Sequence, residues 1–593
     1  MFRSGITLSR KKIVTSITDN NTKPSLKVYY LQEFAKSRIS GVDNALRKDG
    51  LKYNNYLLYE PEIANEQKKL VSDVNESIRD LSPAQLLATA IAYSRLRNVG
   101  KPEWKRLCSA VSKHAYAPSS NITGISSSEV SMILYCYATT FTHQLPATFR
   151  LLRWVVREVG SLNERDVSMI LYYMRRTKCI PTDLTNENHV AYAKILRSIT
   201  LGLSHIGGNK LKRYTPNGLV AVVYNFATIG MIPWSLVYHA CNLIRKSTSK
   251  LNIKAISLHS RSLALLMLRD NKTLESFAML ANSAKVLPVP SISCLLHSFA
   301  KLKFRPKSDI TSILSQITKS IFSFQDQNVA QIVYALGQLG LHCRDVFESI
   351  STFIQSRIEY QSPQHLAMFM QGYARVGIYD KETVKVIMNH SMELLTGFTL
   401  SQLVSLMDGA LILGHFEQDK FTRFLTRFTS IRSDNIPDHI LNQLNRIMYC
   451  IRLEHQSFVT TSEYFMQNLI NQYQGAFMIK PLQSYNQALY ECLKETDSEY
   501  VLNKKIGLYN VDVLLQNNTS VELLSQGSVC PLTGSALGAV QLKKRHIELL
   551  GYKHIQINRR EWFEYLCIVK YKCYRLKKNL TDRKNSILKC LDE

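Results

Sequence analysis

Carboxylates are scarce in this chain: 46 Asp and Glu stand against 74 Lys and Arg, a formal charge of +28 with a pI near 9.5. That imbalance implies a polyanionic partner, meaning RNA, DNA or an anionic membrane. A drift in composition toward Lys, Asn, Ile and Tyr is the alternative source; Asp and Glu have not risen in step with Lys, which favours binding. Paired cysteines are also missing. The 12 Cys residues are scattered, with no C-x-x-C and no Cys/His cluster at zinc-ligand spacing, so they read as reduced core thiols and no metal or other cofactor is expected. No uninterrupted apolar run of about 18 residues occurs, so no membrane span is expected and the chain should be soluble. Nor does any motif suggest a small-molecule substrate.

With 593 residues, 45% of them hydrophobic, the chain is too long for one core and apolar enough to fold throughout. It must be several domains or a repeat array. The first eighteen residues, MFRSGITLSRKKIVTSIT, carry Arg3, Arg10, Lys11 and Lys12 and no acid before Asp19. Phe2, Ile6, Ile13 and Ile17 share a helical face with basic residues beside it, the pattern of an organellar transit peptide. The expected destination is the mitochondrial matrix, with a plastid as the alternative; a disordered basic N-terminus would look similar.

From about residue 81 to 470 strand-like alternation gives way to amphipathic helices separated by Pro, Ser, Asn and Asp clusters. One pattern recurs among them: SISCLLHSFAKLKF from Ser291, NVAQIVYALGQLGL from Asn328, HLAMFMQGYARVGI from His365 and QLVSLMDGALILGH from Gln402, each 37 residues after the last. Copies from Ala255 and His439 flank them, and looser ones begin at Gln85, Glu129, Asp166 and Gly218. Apolar residues recur at offsets 1, 4, 5, 8 and 11, as in Val329, Ile332, Val333, Leu336 and Leu339, a single helical stripe. Gly230, Gly340, Gly377 and Gly414 share the offset at which a left-handed cap would end the helix. A second amphipathic helix follows each. A helix pair of this kind cannot bury its stripe alone, so stacking about ten of them predicts an α-solenoid. The 37-residue period resembles the heptatricopeptide and octotricopeptide repeats of organellar RNA-binding proteins.

Rhythm changes near residue 500. Val511–Leu515 and Ser520–Leu524 read as short strands, QLKKRHIELLGY from Gln541 as a helix ending at Gly551, Lys553–Ile557 as a third strand, and REWFEYLCIVKYKCYRLKKNL as a final helix. The expected organisation is a transit peptide and basic segment at 1–50, the solenoid at 81–470, connecting helices at 471–508, an α/β module at 509–570 and a basic tail at 571–593.

Asp512, Glu522, Thr533 with Gly534, Lys543 with Arg545, Gly551 with Tyr552, Ile555 with Ile557, and Glu561 with Trp562 follow one another in the order of the RAP domain, which this module resembles. The resemblance implies an RNA-associated organellar protein with helical repeats upstream, and a fold similar to restriction-type nucleases. In those enzymes an Asp and a Glu-x-Lys triplet bind a metal and activate water. Here Glu522 is followed by Leu523 and Leu524, so the Lys is missing, and Asp512 and Glu522 are read as hydrogen-bonded structural residues rather than catalytic ones. Trp562 and Tyr552 read as core.

Two surfaces are expected to meet RNA. Residues 541–593 hold 14 Lys and Arg against 6 Asp and Glu, and Lys543, Lys544, Arg545, Lys570 and Lys572 form a candidate phosphate-binding set, with a merely solvated face as the alternative. On the solenoid, offset 6 points away from the apolar stripe and reads Tyr135, Tyr172, Tyr224, Arg261, His297, Tyr334, Gln371, Asp408 and Asn445; offset 10 adds Arg176, Lys301, Gln338 and Arg375. Such side chains stack on bases, read their edges or meet phosphates. The expected function is non-catalytic RNA binding in organellar RNA processing, stability or ribosome assembly, with single-stranded or ribosomal RNA, and mitochondrial ribosome proteins, as partners. The alternatives are an RNA endonuclease acting through the C-terminal module and a structural ribosome subunit or protein scaffold.

Overall fold

The computed structural model describes residues 24–33, 35, 61–96, 99–115, 125–140, 149–176, 187–204, 211–230, 232–431, 436–461, 467–469 and 499–558. The transit-peptide segment and the basic tail, with Trp562, Lys570 and Lys572, lie outside most or all of these ranges. The fold is mainly helical and ends in a small four-stranded sheet. It divides into two compact units, Met1–Leu266 and Met267–Glu593.

In the first unit the helices are α1 (Pro61–Glu76), α2 (Pro83–Arg95), α3 (Lys101–Ala115), α4 (Ser127–Thr140), α5 (Phe149–Glu158), α6 (Glu164–Arg176), α7 (Glu187–Ser204), α8 (Pro216–Ile229), α9 (Trp234–Lys246) and α10 (Ile253–Leu265). Helices α2, α4, α6, α8 and α10 pack side by side in chain order, while α1, α3, α5 and α7 make a second row. The second unit repeats the arrangement. Its first row is α12 (Val289–Lys301), α14 (Asp326–Leu339), α16 (Pro363–Val376), α18 (Leu400–Ile412) and α20 (Asp438–Glu454). Its second row is α11 (Asn271–Ser283), α13 (Thr311–Ser320), α15 (Arg344–Ser356) and α17 (Lys381–Glu393); α19 (Gln418–Ile431) and α21 (Gln456–Thr461) follow α18 and α20. No strand interrupts the described residues between 81 and 470.

The stripe explains the stacking. Val329, Ile332, Val333, Leu336 and Leu339 of α14 are all buried, and removing each such side chain from water is worth about 1.5–3 kcal/mol. Helix ends are set locally. Ser362 accepts the His365 N–H and Pro363 opens α16, Thr399 and Gln402 form a reciprocal capping box on α18, and Asp380 caps α17 through Thr383 N–H. Gly230, Gly340 and Gly377 are the left-handed caps the period predicts, and Gly414, at φ +75°, stands one residue past the cap of α18. At Gly377, φ is +77°, a conformation any side chain with a Cβ resists.

The C-terminal sheet has the order β1 (Tyr500–Ile506), β2 (Tyr509–Leu515), β3 (Thr519–Leu524), β4 (Lys553–Asn558), with α22 (Gly538–Leu549) crossing between β3 and β4. The first three strands are antiparallel and β4 is parallel to β3, Val521 facing Ile555. Three of the four strands fall where the sequence places them. The fourth, β1, corrects the end of the range expected to hold connecting helices, 471–508, of which 471–498 lie outside the described residues: the module starts a strand earlier. Pairing with β2 from Tyr500↔Leu515 to Ile506↔Tyr509 satisfies the backbone of a segment that is largely exposed and whose side chains show little alternation.

Candidate nucleic-acid interface

Offset 6 lies between neighbouring first-row helices, so its side chains meet one another before they meet solvent. In the first unit the rings of Tyr135 and Tyr172 are 4.8 Å apart, and Arg175 lies 5.0 Å over Tyr172 and 5.1 Å over Tyr224. The three tyrosines are half-buried, while Arg176 and Arg261 are exposed. Contacts of this kind add on the order of 0.5–1.5 kcal/mol each and fix the rings as a continuous platform. Burial, the main cause, raises the Tyr135 phenol above its ordinary pKa, with Tyr172 adding to it, so that ring stays uncharged at neutral pH.

In the second unit His297 and Tyr334 are 6.0 Å apart, Gln371 and Arg375 are half-buried and Lys301 is exposed. The C-terminal end of the column turns inward. Asp408 is buried and takes two hydrogen bonds from Arg446, and Asn445 is 8% exposed. Neither presents a side chain to solvent for base recognition, which corrects the reading of Asn445. The reason is the ion pair: a carboxylate between packed helices needs a partner, and Arg446 on the next first-row helix supplies it. Burial opposes the charge on Arg446, yet Asp408 outweighs it and raises its pKa.

The basic helix α22 also reads differently in place. Lys543 is 5% exposed; its Nζ lies 2.7 Å from Glu522 Oε1 and donates to Asn510 O at 2.7 Å. Arg545 donates to Leu411 O at 2.6 Å and Ile412 O at 3.2 Å, and pairs with Glu454 at 3.0 Å. These two residues are thus structural, not phosphate ligands, because α22 is covered on two sides by its sheet and by the repeats. Lys544, 49% exposed, is the member of the trio that faces water.

Lys543 also changes the account of the two carboxylates. The Lys that the strand lacks is supplied by α22, 21 residues beyond Glu522. His554 Nε2 stands 3.3 Å from Glu522 Oε2, and its Nδ1 is 2.8 Å from Ser520 Oγ. Burial opposes ionisation of Glu522, but His554 and Lys543 outweigh it and hold the carboxyl below its ordinary pKa. Asp512 accepts the Leu523 N–H at 2.8 Å. Both carboxylates are engaged within the fold, beside side chains that are themselves buried.

What sequence reasoning missed is how the module sits within the second unit. Helix α22 packs across α16, α18 and α20. Leu537 reaches Gly340, Gln541 Nε2 approaches Gly377 O at 3.5 Å, and Arg545 covers Gly414, so three consecutive caps receive residues four apart on one helix. Arg305 donates to Gln526 O at 2.8 Å, and His342 N–H to Cys530 Sγ at 3.2 Å. Unpaired carbonyls at helix ends attract cations and donors, which is why an Arg and a Gln serve here. At the centre Glu454 takes Arg545 and the buried His546, whose Nδ1 is 2.6 Å from Tyr509 Oη. Cys450, Glu454 and His546 have donor atoms all within 4.8 Å of one another, but the Glu454 carboxylate is already used by Arg545 and His546. Burial opposes ionisation of Glu454; His546 and Arg545 outweigh it and lower its pKa.

Residues 234–447 match the family described as RNA-editing substrate-binding complex 6 protein, a span running from α9 into α20. No curated protein matches the chain. Among solved structures, a homology model of the full-length AP-3 complex in an intermediate open conformation is 12% identical over 79% of this chain and 82% of that one, with a TM-score of 0.34. No described helix is long and apolar enough to cross a membrane.

Proposed function

We propose that the chain is a non-catalytic, organellar RNA-binding protein whose helix-pair repeats hold RNA for processing, stabilisation or assembly, and whose C-terminal module is a RAP-type domain braced against the repeats. The observation that carries this reading is the match of residues 234–447 to a family named for binding RNA-editing substrates, because it falls on repeats that carry the tilted His297–Tyr334 ring pair and the exposed Arg261 and Lys301. The charge of +28 supports a polyanionic ligand, and the acid-free basic start of the chain supports the mitochondrion as the site of action. Asp512 and Glu522 on adjacent strands of a mixed sheet support the RAP assignment. Ribosomal RNA is one substrate such a protein would serve, and transcripts undergoing editing are another.

Crosslinking the protein to RNA in cells and sequencing what is bound is the test. Enrichment of organellar transcripts is expected; recovery of cytosolic RNA alone, or of none, overturns the reading. One observation favours an endonuclease instead: Lys543 at Glu522 restores the missing cation of the nuclease triplet. Metal-dependent cleavage of RNA by the full chain, abolished by Asp512→Ala, would establish it. The engagement of both carboxylates within the fold favours no cleavage.

A further inference from the structure

Between Asn188 and Arg269 the chain has no Asp or Glu in 82 residues, while it has 11 Lys and Arg. At the chain's average of 46 carboxylates in 593 residues, about six would be expected there. The segment covers α7 to α10 of the first unit. Its helix α9, which packs against α8, buries Leu236, Val237, Ala240 and Ile244. On the other side it exposes Trp234 at 53% and Tyr238 at 68%, followed by Asn242 and by Arg245, whose Nη2 donates to Asn242 Oδ1 at 2.9 Å. At 100° per residue these four positions fall within about 80° of one another, so they form one stripe along the helix. Lys246 and Lys250 are exposed just beyond it. Helices α8 and α9 pack as a hairpin, which brings exposed Lys212 and Arg213, before α8, to the same end.

A tryptophan and a tyrosine exposed side by side on one face form a paired aromatic patch rather than scattered single residues. Their attachment points, one turn apart, differ by a rise of about 6 Å. That separation leaves room for a base to lie between the two rings. An unstacked base is a property of single strands, and cations at the end of the stripe, with no carboxylate among them, match the backbone. An anionic membrane would also attract such charge. The opposite face of α9 is locked in the repeat, however, so only two rings face outward, too little apolar area to anchor on lipid.

We propose that the outer face of α9 is a single-stranded RNA-binding stripe, with Trp234 and Tyr238 stacking on bases and Arg245, Lys246 and Lys250 meeting phosphates. It rests on the RNA-binding reading above but uses residues of α9 that are not among the offset-6 positions. The test uses the full chain and an end-labelled oligouridine. Replacing both rings (Trp234→Ala with Tyr238→Ala) should weaken binding about 5- to 100-fold per ring lost while leaving the salt slope unchanged. Trp234→Phe and Tyr238→Phe, which keep the rings, should retain affinity. In a Trp562→Phe background, where the other tryptophans, Trp104 and Trp154, are buried, RNA should also quench the tryptophan emission, and Trp234→Phe should remove most of that quenching. Binding within twofold of the parent in the double alanine variant overturns the proposal, as does quenching that persists in Trp234→Phe. If the double alanine variant binds RNA normally but Tyr334→Ala does not, the stripe is refuted and the broader reading stands; if the parent binds no RNA, both fall. Phosphatidylserine vesicles supply the other arm: vesicle binding lost in the double variant with RNA affinity intact assigns the stripe to membrane and overturns the proposal.

Discussion

Lys543, Lys544 and Arg545 are consecutive and alike in sequence, and the fold gives them three different tasks. The residues that separate those tasks are far away in the chain: Arg545 meets partners 91, 133 and 134 positions back, and Lys543 one 21 positions back. The sequence carries their charge but not their direction. Two outcomes follow at this scale. Lys543→Ala strips Glu522 of its buried cation and should cost about 3–5 kcal/mol in chemical denaturation, without changing the salt dependence of RNA binding. Lys544→Ala should leave stability within about 0.5 kcal/mol and, if Lys544 touches a phosphate, flatten the log–log salt slope by about 0.7. A reversal of the two effects would mean that α22 faces RNA through Lys543 after all. Acid provides a second handle. Glu454 and Glu522 have pKa values below those of the unfolded chain, so their contribution is full above the unfolded carboxylate range near 4.3 and is lost as pH falls through the folded values. Docking of the module, followed by proteolytic protection of the 499–558 region, should therefore fail on acidification below about pH 4, and Glu454→Gln should weaken it already at neutral pH.

Elements were legible in proportion to the periodicity of their burial. The first-row helices repeat a 3.6-residue stripe that nothing else imitates, and α14, α16 and α18 stand where the 37-residue period puts them. Strand β1 is the contrary case. Its pattern is intermediate at Tyr500, exposed from Val501 to Lys505 and buried only at Ile506, and Asn503 at φ +52° breaks the run, so no alternation marks it. The docking of α22 leaves no periodic mark in the sequence, although its landing points are glycines there. Gly538 shows how tight that landing is: a Cβ there would sit 1.7 Å from Ala374 O. Because a backbone oxygen cannot swing aside as a side chain does, Gly538→Ala should lift α22 from α16. Hydrogen exchange would report it as faster exchange in α22 and β4 with the first-row amides of α12 and α14 unchanged. Exchange equal to the parent throughout would show that the module is held from elsewhere.

At the scale of the whole molecule the charge excess was plain from composition, whereas its division between tasks was not. A column chosen by helical geometry mixes residues that face solvent with residues that face the next repeat, since neither offset nor residue type records how closely adjacent helices approach. Arg261 and Asn445 hold the same place in their repeats, yet one is exposed and the other is 8% exposed beside the Asp408–Arg446 pair. Their substitution therefore separates the exposed position from the buried one. Arg261→Ala should flatten the salt slope for single-stranded RNA by about 0.7 and leave the unfolding midpoint in denaturant unchanged. Asn445→Ala, at a site 8% exposed, should leave both the salt slope and the sequence preference of the RNA bound unchanged. The measurement is a titration of several RNA sequences at several salt concentrations, with denaturation run on the same preparations. A change of preference in Asn445→Ala at full stability would return that residue to the recognition surface and require the last repeats to open when RNA binds, because Asn445 is 8% exposed as the repeats stand.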